Sequence, residues 1–161
     1  MDFTRDTLAS GRVFRTLNII DEFNREVLAI EVDTSLPAER VIRVLDQIKA
    51  WRPLPQSIRV DNGPEFIAEA LANWSERNRV HLNFIPPGKP QKNGFMERLN
   101  RSFREDILDC YVFDTLDEVR DAAWDWQIEY NEERPHDSLS NLTPLEYRLR
   151  YEAQQAEVST N

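Results

Sequence analysis

Two apolar runs near the start of the chain, "VFRTLNIID" (13–21) and "EVLAIEVD" (26–33), constrain its folding most. Both are rich in Val, Ile, Leu and Phe, and only "EFNR" (22–25) connects them. Runs of that length and composition are strands, and so short a connection requires antiparallel pairing, because a parallel pair needs a crossover of roughly a dozen residues or more. A shorter β-like run, "MDFTRD", precedes them. The chain therefore opens on a meander of three strands.

Strands and helices then alternate. "AERVIRVLDQIKAW" sets Val41, Val44, Leu45 and Ile48 at i, i+3, i+4 and i+7, an amphipathic helix that begins after Pro37 and stops before Pro53. "QSIRV" is a fourth strand. The spacing next predicts a helix over 64–78, opened by Pro64 and burying Phe66, Ala70, Leu71 and Trp74. "VHLNFI" is a fifth strand and "PPGKPQKNG" a Pro/Gly-rich loop. A third helix is expected over 94–109, and a fourth from near Thr115 to Glu133 with Leu116, Val119, Ala123, Trp126 and Tyr130 on one stripe. A last short helix starts at Thr143-Pro144, Thr as N-cap and Pro as first helical residue, and the polar tail "AQQAEVSTN" is expected to fray. The order predicts an α/β fold, a five-stranded mixed sheet flanked by helices. Residues 1–140 form its body and 141–161 a C-terminal helix and polar tail.

Composition narrows the classes. A chain of 161 residues with 40% hydrophobic content has the size of one ordinary domain. No apolar run reaches the roughly 20 residues that cross a bilayer, and the first residues lack the apolar centre of a signal peptide. The single cysteine, Cys110, excludes a disulfide framework and a cysteine-built zinc site. A reducing cytosol is the default compartment. The net charge of −9 is unevenly spread: residues 85–104 set Lys89, Lys92, Arg98, Arg101 and Arg104 against Glu97, whereas residues 105–161 are strongly acidic. A polyanion would meet one basic strip on an otherwise repelling surface.

Acids at the ends of elements are the candidates for chemistry. Asp2 lies on the first strand, Asp61 ends the fourth, and Glu97 lies in the first turn of the third helix, 35 residues separating it from Asp61. Handling a phosphodiester calls for two divalent ions about 3.5–4 Å apart, held by carboxylates that converge from separate segments. Each acid alone also reads as a turn residue or helix cap, as do Asp21 and Asp33. On the third helix, Asn93, Glu97, Asn100, Arg101 and Arg104 fall within one sector of about 100°, beside an apolar stripe of Met96, Leu99, Phe103 and Ile107. An i, i+4 ion pair of Glu97 with Arg101 accounts for part of this, at a few tenths of a kcal/mol. Phosphate contacts account for the whole gathering. His136 reads as a local cap or packing residue after Pro135. Trp74, Trp124 and Trp126 read as core or interface, and Asn62-Gly63 and Asn93-Gly94 as turns that also admit a close approach of DNA.

"MDF", "RVDNGPEF", "PPGKPQKNGFMERLNRSFRED" and "YNEERPHDSLSNLTPLEY" together resemble the integrase catalytic core of bacterial insertion-sequence transposases, the retroviral-integrase-like type with two aspartates and a glutamate 35 residues beyond the second. The resemblance runs from Asp2 to about Tyr151. It implies a ribonuclease-H-like fold, with Asp2, Asp61 and Glu97 as catalytic acids holding Mg²⁺ or Mn²⁺, two ions in all. It also implies DNA contacts from Lys89, Lys92, Asn93, Arg98, Arg101 and Arg104, cleavage of transposon ends, and strand transfer to target DNA by attack of a 3′-hydroxyl. A homo-multimer acting in the bacterial cytoplasm at the nucleoid follows, with no membrane role. Measured against that family the chain is expected to be N-terminally truncated, lacking half of the first strand and any helix-turn-helix. The strand is therefore expected to fray and Asp2 to frame its metal poorly. The competing expectation is a catalytically inactive fragment that only folds or associates with full-length transposase. A ribonuclease-H-like nuclease with other substrates is a third.

Overall fold

The computed structural model describes residues 1–86, 88 and 93–159. In chain order it has β1 (Asp2–Thr7), β2 (Val13–Ile20), β3 (Val27–Asp33), α1 (Ala38–Lys49), β4 (Ser57–Val60), α2 (Glu69–Asn78), β5 (His81–Phe84), α3 (Gly94–Phe103), a π-helical turn (Arg104–Leu108), α4 (Leu116–Glu132), a 3-10 turn (Asp137–Leu139) and α5 (Pro144–Ser159). The expected order of strands and main helices is present.

β1, β2 and β3 form the antiparallel meander, and β4 pairs with β5 in parallel. The five strands thus divide into sheets of three and two. The Met1 amine, which donates to the Arg59 carbonyl at 2.9 Å, joins them where β4 runs beside the start of β1.

Side-chain alternation along β2 builds two cores. Leu17 and Ile19 face α1 and α2, packing with Val41, Val44, Leu45, Ile48, Phe66, Leu71 and Trp74. Phe14 faces the other way, with Met96, Leu99 and Phe103 of α3 and Val119, Ala123, Trp126 and Tyr130 of α4. Thr16 and Asn18 share the Phe14 face by the period of two, and both are fully buried. The α3-facing side of the sheet therefore turns from apolar to polar along β2, and that polar end is the floor of the site.

Several expectations change in detail. β1 does not fray: every residue from Asp2, opposite Asn18, to Thr7, opposite Val13, is paired. The helix expected from Pro64 begins at Glu69, because Phe66 and Ile67 both donate to the Gly63 carbonyl in a separate turn. The third helix is not uniform to residue 109: from Arg104 it widens into a π-helical turn closed by Asp109 N–H on the Arg104 carbonyl. The wider turn brings Leu108 into the core that holds Phe103, five residues earlier. Trp74 and Trp126 are core, whereas Trp124 is exposed.

The last helix is not short, running from Pro144 to Ser159, and the final two residues of the polar tail lie outside the described residues. Thr143 and Glu146 cap it reciprocally, and Arg148 ties it to buried Glu26. A second reciprocal box, Thr115 with Glu118, starts α4, each such cap being worth about 1 kcal/mol. Among the described residues no helix is long and apolar enough to cross a membrane.

Candidate active site

The site is built where β1, the end of β4 and α3 meet. Cross-strand partners share a face of a sheet, so Asp2, Thr4 and Asp6 lie on the same side as Asn18, Thr16 and Phe14. α3 crosses that side with matching polar residues. Asn100 donates to Asp2 Oδ2 at 2.9 Å, and Arg104 reaches Asp6 Oδ2 at 3.1 Å and the Arg5 carbonyl at 2.9 Å.

Beneath Asp2 runs a satisfied polar ladder. Asn18 Nδ2 donates to Asn100 Oδ1 at 2.8 Å and Thr16 Oγ1 donates to Asn18 Oδ1 at 2.9 Å. With its one proton committed there, the Thr16 hydroxyl accepts from Thr4. Asp2 Oδ1 accepts from the Phe3 backbone N–H at 2.8 Å. Its carboxyl is pushed above the usual carboxylate range, first by burial and then by the charge of Asp61; the Phe3 N–H, the terminal amine and Asn100 act in the opposite direction.

Asp61 sits just beyond β4. Its Oδ1 accepts from the Gly63 N–H at 2.8 Å, an Asx-type turn. A Cβ on Gly63 would stand 2.9 Å from that same oxygen, so the turn tolerates no side chain without moving the acid. Asn62 donates to the Ile85 carbonyl at 2.9 Å, binding the ends of β4 and β5 together. Phe3 stacks on buried Phe66 at 4.9 Å between ring centroids, and Arg15 pairs with Glu65 while lying over the Phe3 ring. The segments carrying Asp2 and Asp61 are clamped to each other by these contacts.

Glu97 is exposed on α3, one turn before Asn100. Among the described residues no group of three acid, His or Cys side chains is gathered closely enough to hold a metal ion. The structure thus brings Asp2 and Asp61 into each other's field and leaves Glu97 outside. As hard oxygen donors that repel one another, Asp2 and Asp61 fit a divalent cation of the magnesium type. Glu97 lies three residues before Asn100, the residue that donates to Asp2.

The expected basic residues divide. Arg98 and Arg101 are exposed. Arg104 is committed to β1 and Asp109, so it works as a tie between the π-helical turn and the strand. Asn93 is buried at the start of α3 and makes no cap bond. Lys89 and Lys92 lie outside the described residues. Asn18 and Asn100 are site residues that the sequence alone does not mark as such. The available signal for Asn18 was an amide within the apolar run "RTLNII"; for Asn100 it was a shared face with Glu97.

An integrase core domain model matches residues 1–90, and a second integrase core domain model matches residues 78–144. An uncharacterized 39.2 kDa protein of insertion element IS476 from Xanthomonas euvesicatoria is 37% identical over 97% of this chain and 45% of its own length. An uncharacterized 31.7 kDa protein of insertion element IS407 from Burkholderia multivorans is 37% identical over 95% of this chain and 55% of its own. The chain therefore spans about half the length of the curated relatives it matches. The structure superimposes on the HTLV-2 integrase catalytic core domain, solved in complex with magnesium in a trimeric form, with a TM-score of 0.67. That match covers 91% of this chain and 94% of the other at 17% identity. The likeness shows the ribonuclease-H-like fold, and with the match over residues 1–90 the chain belongs to the integrase core domain family.

Proposed function

We propose that the chain is the catalytic core of a DNA transposase, which cuts phosphodiester bonds at the ends of a mobile element and joins the freed 3′-hydroxyl to target DNA. The observation that carries this reading is the convergence of Asp2 and Asp61, with Asn100 fastening the Glu97 helix to Asp2. Asp2, Asp61 and Glu97 would hold two Mg²⁺ or Mn²⁺ ions, which when bound polarise the scissile phosphate and activate the attacking oxygen. The carboxylates supply no nucleophile and form no covalent link to DNA.

The chain's own work is positioning. The Phe3 and Gly63 N–H groups and the Asn100 amide orient Asp2 and Asp61 by hydrogen bonds, and each carboxylate oxygen retains a lone pair for a ligand. Arg98 and Arg101, with Lys89, Lys92 and Asn93 before them in sequence, steer the DNA backbone. Arg104 contributes by holding β1 against α3. Element ends and target DNA are the partners, and a homo-multimer in the bacterial cytoplasm, at the nucleoid, is the acting form. The insertion-element relatives and the magnesium-bound integrase core of like fold support this reading.

The test is nicking of DNA carrying the element's ends in Mg²⁺ or Mn²⁺. Wild type is expected to nick, and Asp61→Asn and Glu97→Gln to lose on the order of 100-fold or more. Equal nicking by all three proteins would overturn the three-acid assignment.

A further inference from the structure

A cleft of about 670 Å³ opens between the end of β5 and the first turns of α3. Its two walls belong to the segments that carry Asp61 and Glu97. On one wall, Ile85 is bracketed by the two neighbours of Asp61. Its N–H donates to the Val60 carbonyl at 2.8 Å, and its carbonyl accepts from the Asn62 amide at 2.9 Å. Phe84, the last residue of β5, stands opposite Val60 in the parallel register. On the other wall are Phe95 and Arg98, and Glu97 directly precedes Arg98.

The lining sets aromatic rings beside polar groups. Phe84 is 38% exposed and Phe95 39%, and both border the open cleft. Arg25 covers one face of the Phe95 ring, its guanidinium carbon 3.5 Å from the centroid, and so fixes the ring in place. Asn83 brings an amide and Ser138 a hydroxyl, each able to donate and to accept. With Arg98, these side chains are exposed and make no hydrogen bond or ion pair with other described residues. Among the described residues the lining holds two arginines and no acid. Arg59 is paired with Glu22 at 3.0 Å, so Arg98 is the cation available to a ligand.

Rings for a flat face, donors and acceptors for an edge and a cation for a phosphate are what a nucleotide asks of a surface. Clefts of about 300–1,000 Å³ take ring-bearing ligands. An apolar peptide side chain would use the rings and leave Asn83, Ser138 and Arg98 without acceptors. A base within a duplex has both faces stacked and its edge paired, so only an unpaired base can enter. Resting on the reading that DNA is the substrate, we infer that the cleft seats an unpaired nucleobase of the strand held at Asp61 and Glu97. Phe84 and Phe95 are its stacking surface, Asn83 and Ser138 meet its polar edge, and Arg98 takes an adjoining phosphate. The substrate is thereby narrowed to DNA whose strands are parted beside the reacting phosphodiester. Stacking in the cleft offsets part of the cost of parting them.

The test uses the whole chain with divalent ions chelated, so that no strand is cut, and follows binding by anisotropy of labelled DNA. The probes are a blunt duplex, the same duplex with a few mispaired nucleotides at one end, and that mispaired duplex with abasic sites replacing the mispaired bases. Wild type is expected to bind the mispaired duplex on the order of tenfold more tightly than the blunt one, and the abasic sites to remove the preference. Phe84→Leu and Phe95→Leu keep an apolar side chain but remove the ring. Each should hold the blunt-duplex affinity and lose most of the preference. The abasic comparison decides the matter in wild type, whatever a substitution does to folding. Equal binding of blunt and mispaired ends by wild type would overturn the base seat and leave the DNA reading standing. So would a preference that survives the abasic sites, which keep the phosphates, or one that survives both leucine substitutions. No binding of any probe by wild type would overturn the DNA reading itself, and the seat with it.

Discussion

α3 is flanked by two polar neighbourhoods built in opposite ways. Along its second half, the Thr4–Thr16–Asn18–Asn100–Asp2 ladder gives every participating side chain a partner. At its start, Arg25, Asn93 and His136 each bury a polar atom with no partner among the described residues. A satisfied interior network holds one geometry and resists change, whereas an unsatisfied one sits at a free-energy cost that a ligand can remove. The first neighbourhood therefore serves to position Asp2, whereas the second lowers the stability of the fold.

Breaking the ladder should have the largest effect. Asn18→Leu keeps the branched outline of the side chain but strips Asn100 Oδ1 of its donor and Thr16 of its acceptor. A loss of about 2–3 kcal/mol is expected, a fall of about 4–12 °C in unfolding temperature for a chain of this length, read by circular dichroism. An unchanged midpoint would mean that the ladder adds nothing to stability. At the opposite end, replacing a partnerless group should help: His136→Phe is expected to gain about 1 kcal/mol at neutral pH.

The two ends should also respond to acid with opposite signs. His136 is held below its ordinary value, so between its folded pKa and about 6.5 the unfolded chain binds more protons, and stability falls as pH drops through that window. His136→Phe should remove that loss. Asp2 is held above its ordinary value, so the folded chain binds more protons from that raised pKa down to the ordinary 3.8, and Asp2 contributes more stability as pH falls. With divalent ions chelated, Asp2→Asn should gain a few tenths of a kcal/mol at neutral pH and lose the gain on the acid side. Unfolding temperatures measured across pH check both; the same sign at the two ends would break the comparison. Arg25→Gly should move stability least, within about 0.5 kcal/mol, because relief of its left-handed φ of +62° offsets the lost stacking of its guanidinium on Phe95.

Local periodicity made much of the fold legible. The i, i+3, i+4 stripe of α1, the apolar runs of β2 and β3 and the Thr-Pro start of α5 are statements about neighbours in the chain, and the structure has all of them. Where a tertiary contact competes with periodicity, the reading changes. Phe66 belongs to a turn that stacks it on Phe3 rather than to the first turn of α2. Trp124 shares helical spacing with Trp126 but faces outward. The third helix widens at Arg104, whose guanidinium is engaged by β1 and Asp109, and so brings Leu108 inward.

The candidate site divides along the same line. Asp61, Glu97 and their 35-residue separation are written in the chain, as are the turn after Asp61 and the shared face of Glu97 and Asn100, because each is set by local backbone geometry. Which atoms take the lone pairs of Asp2, why Arg104 is a tie, and how Arg25 comes to lie on Phe95 depend on contacts between residues about 70 to 100 positions apart. Burial and these long-range partnerships are properties of the packed chain, and no short window of sequence contains both residues of such a pair.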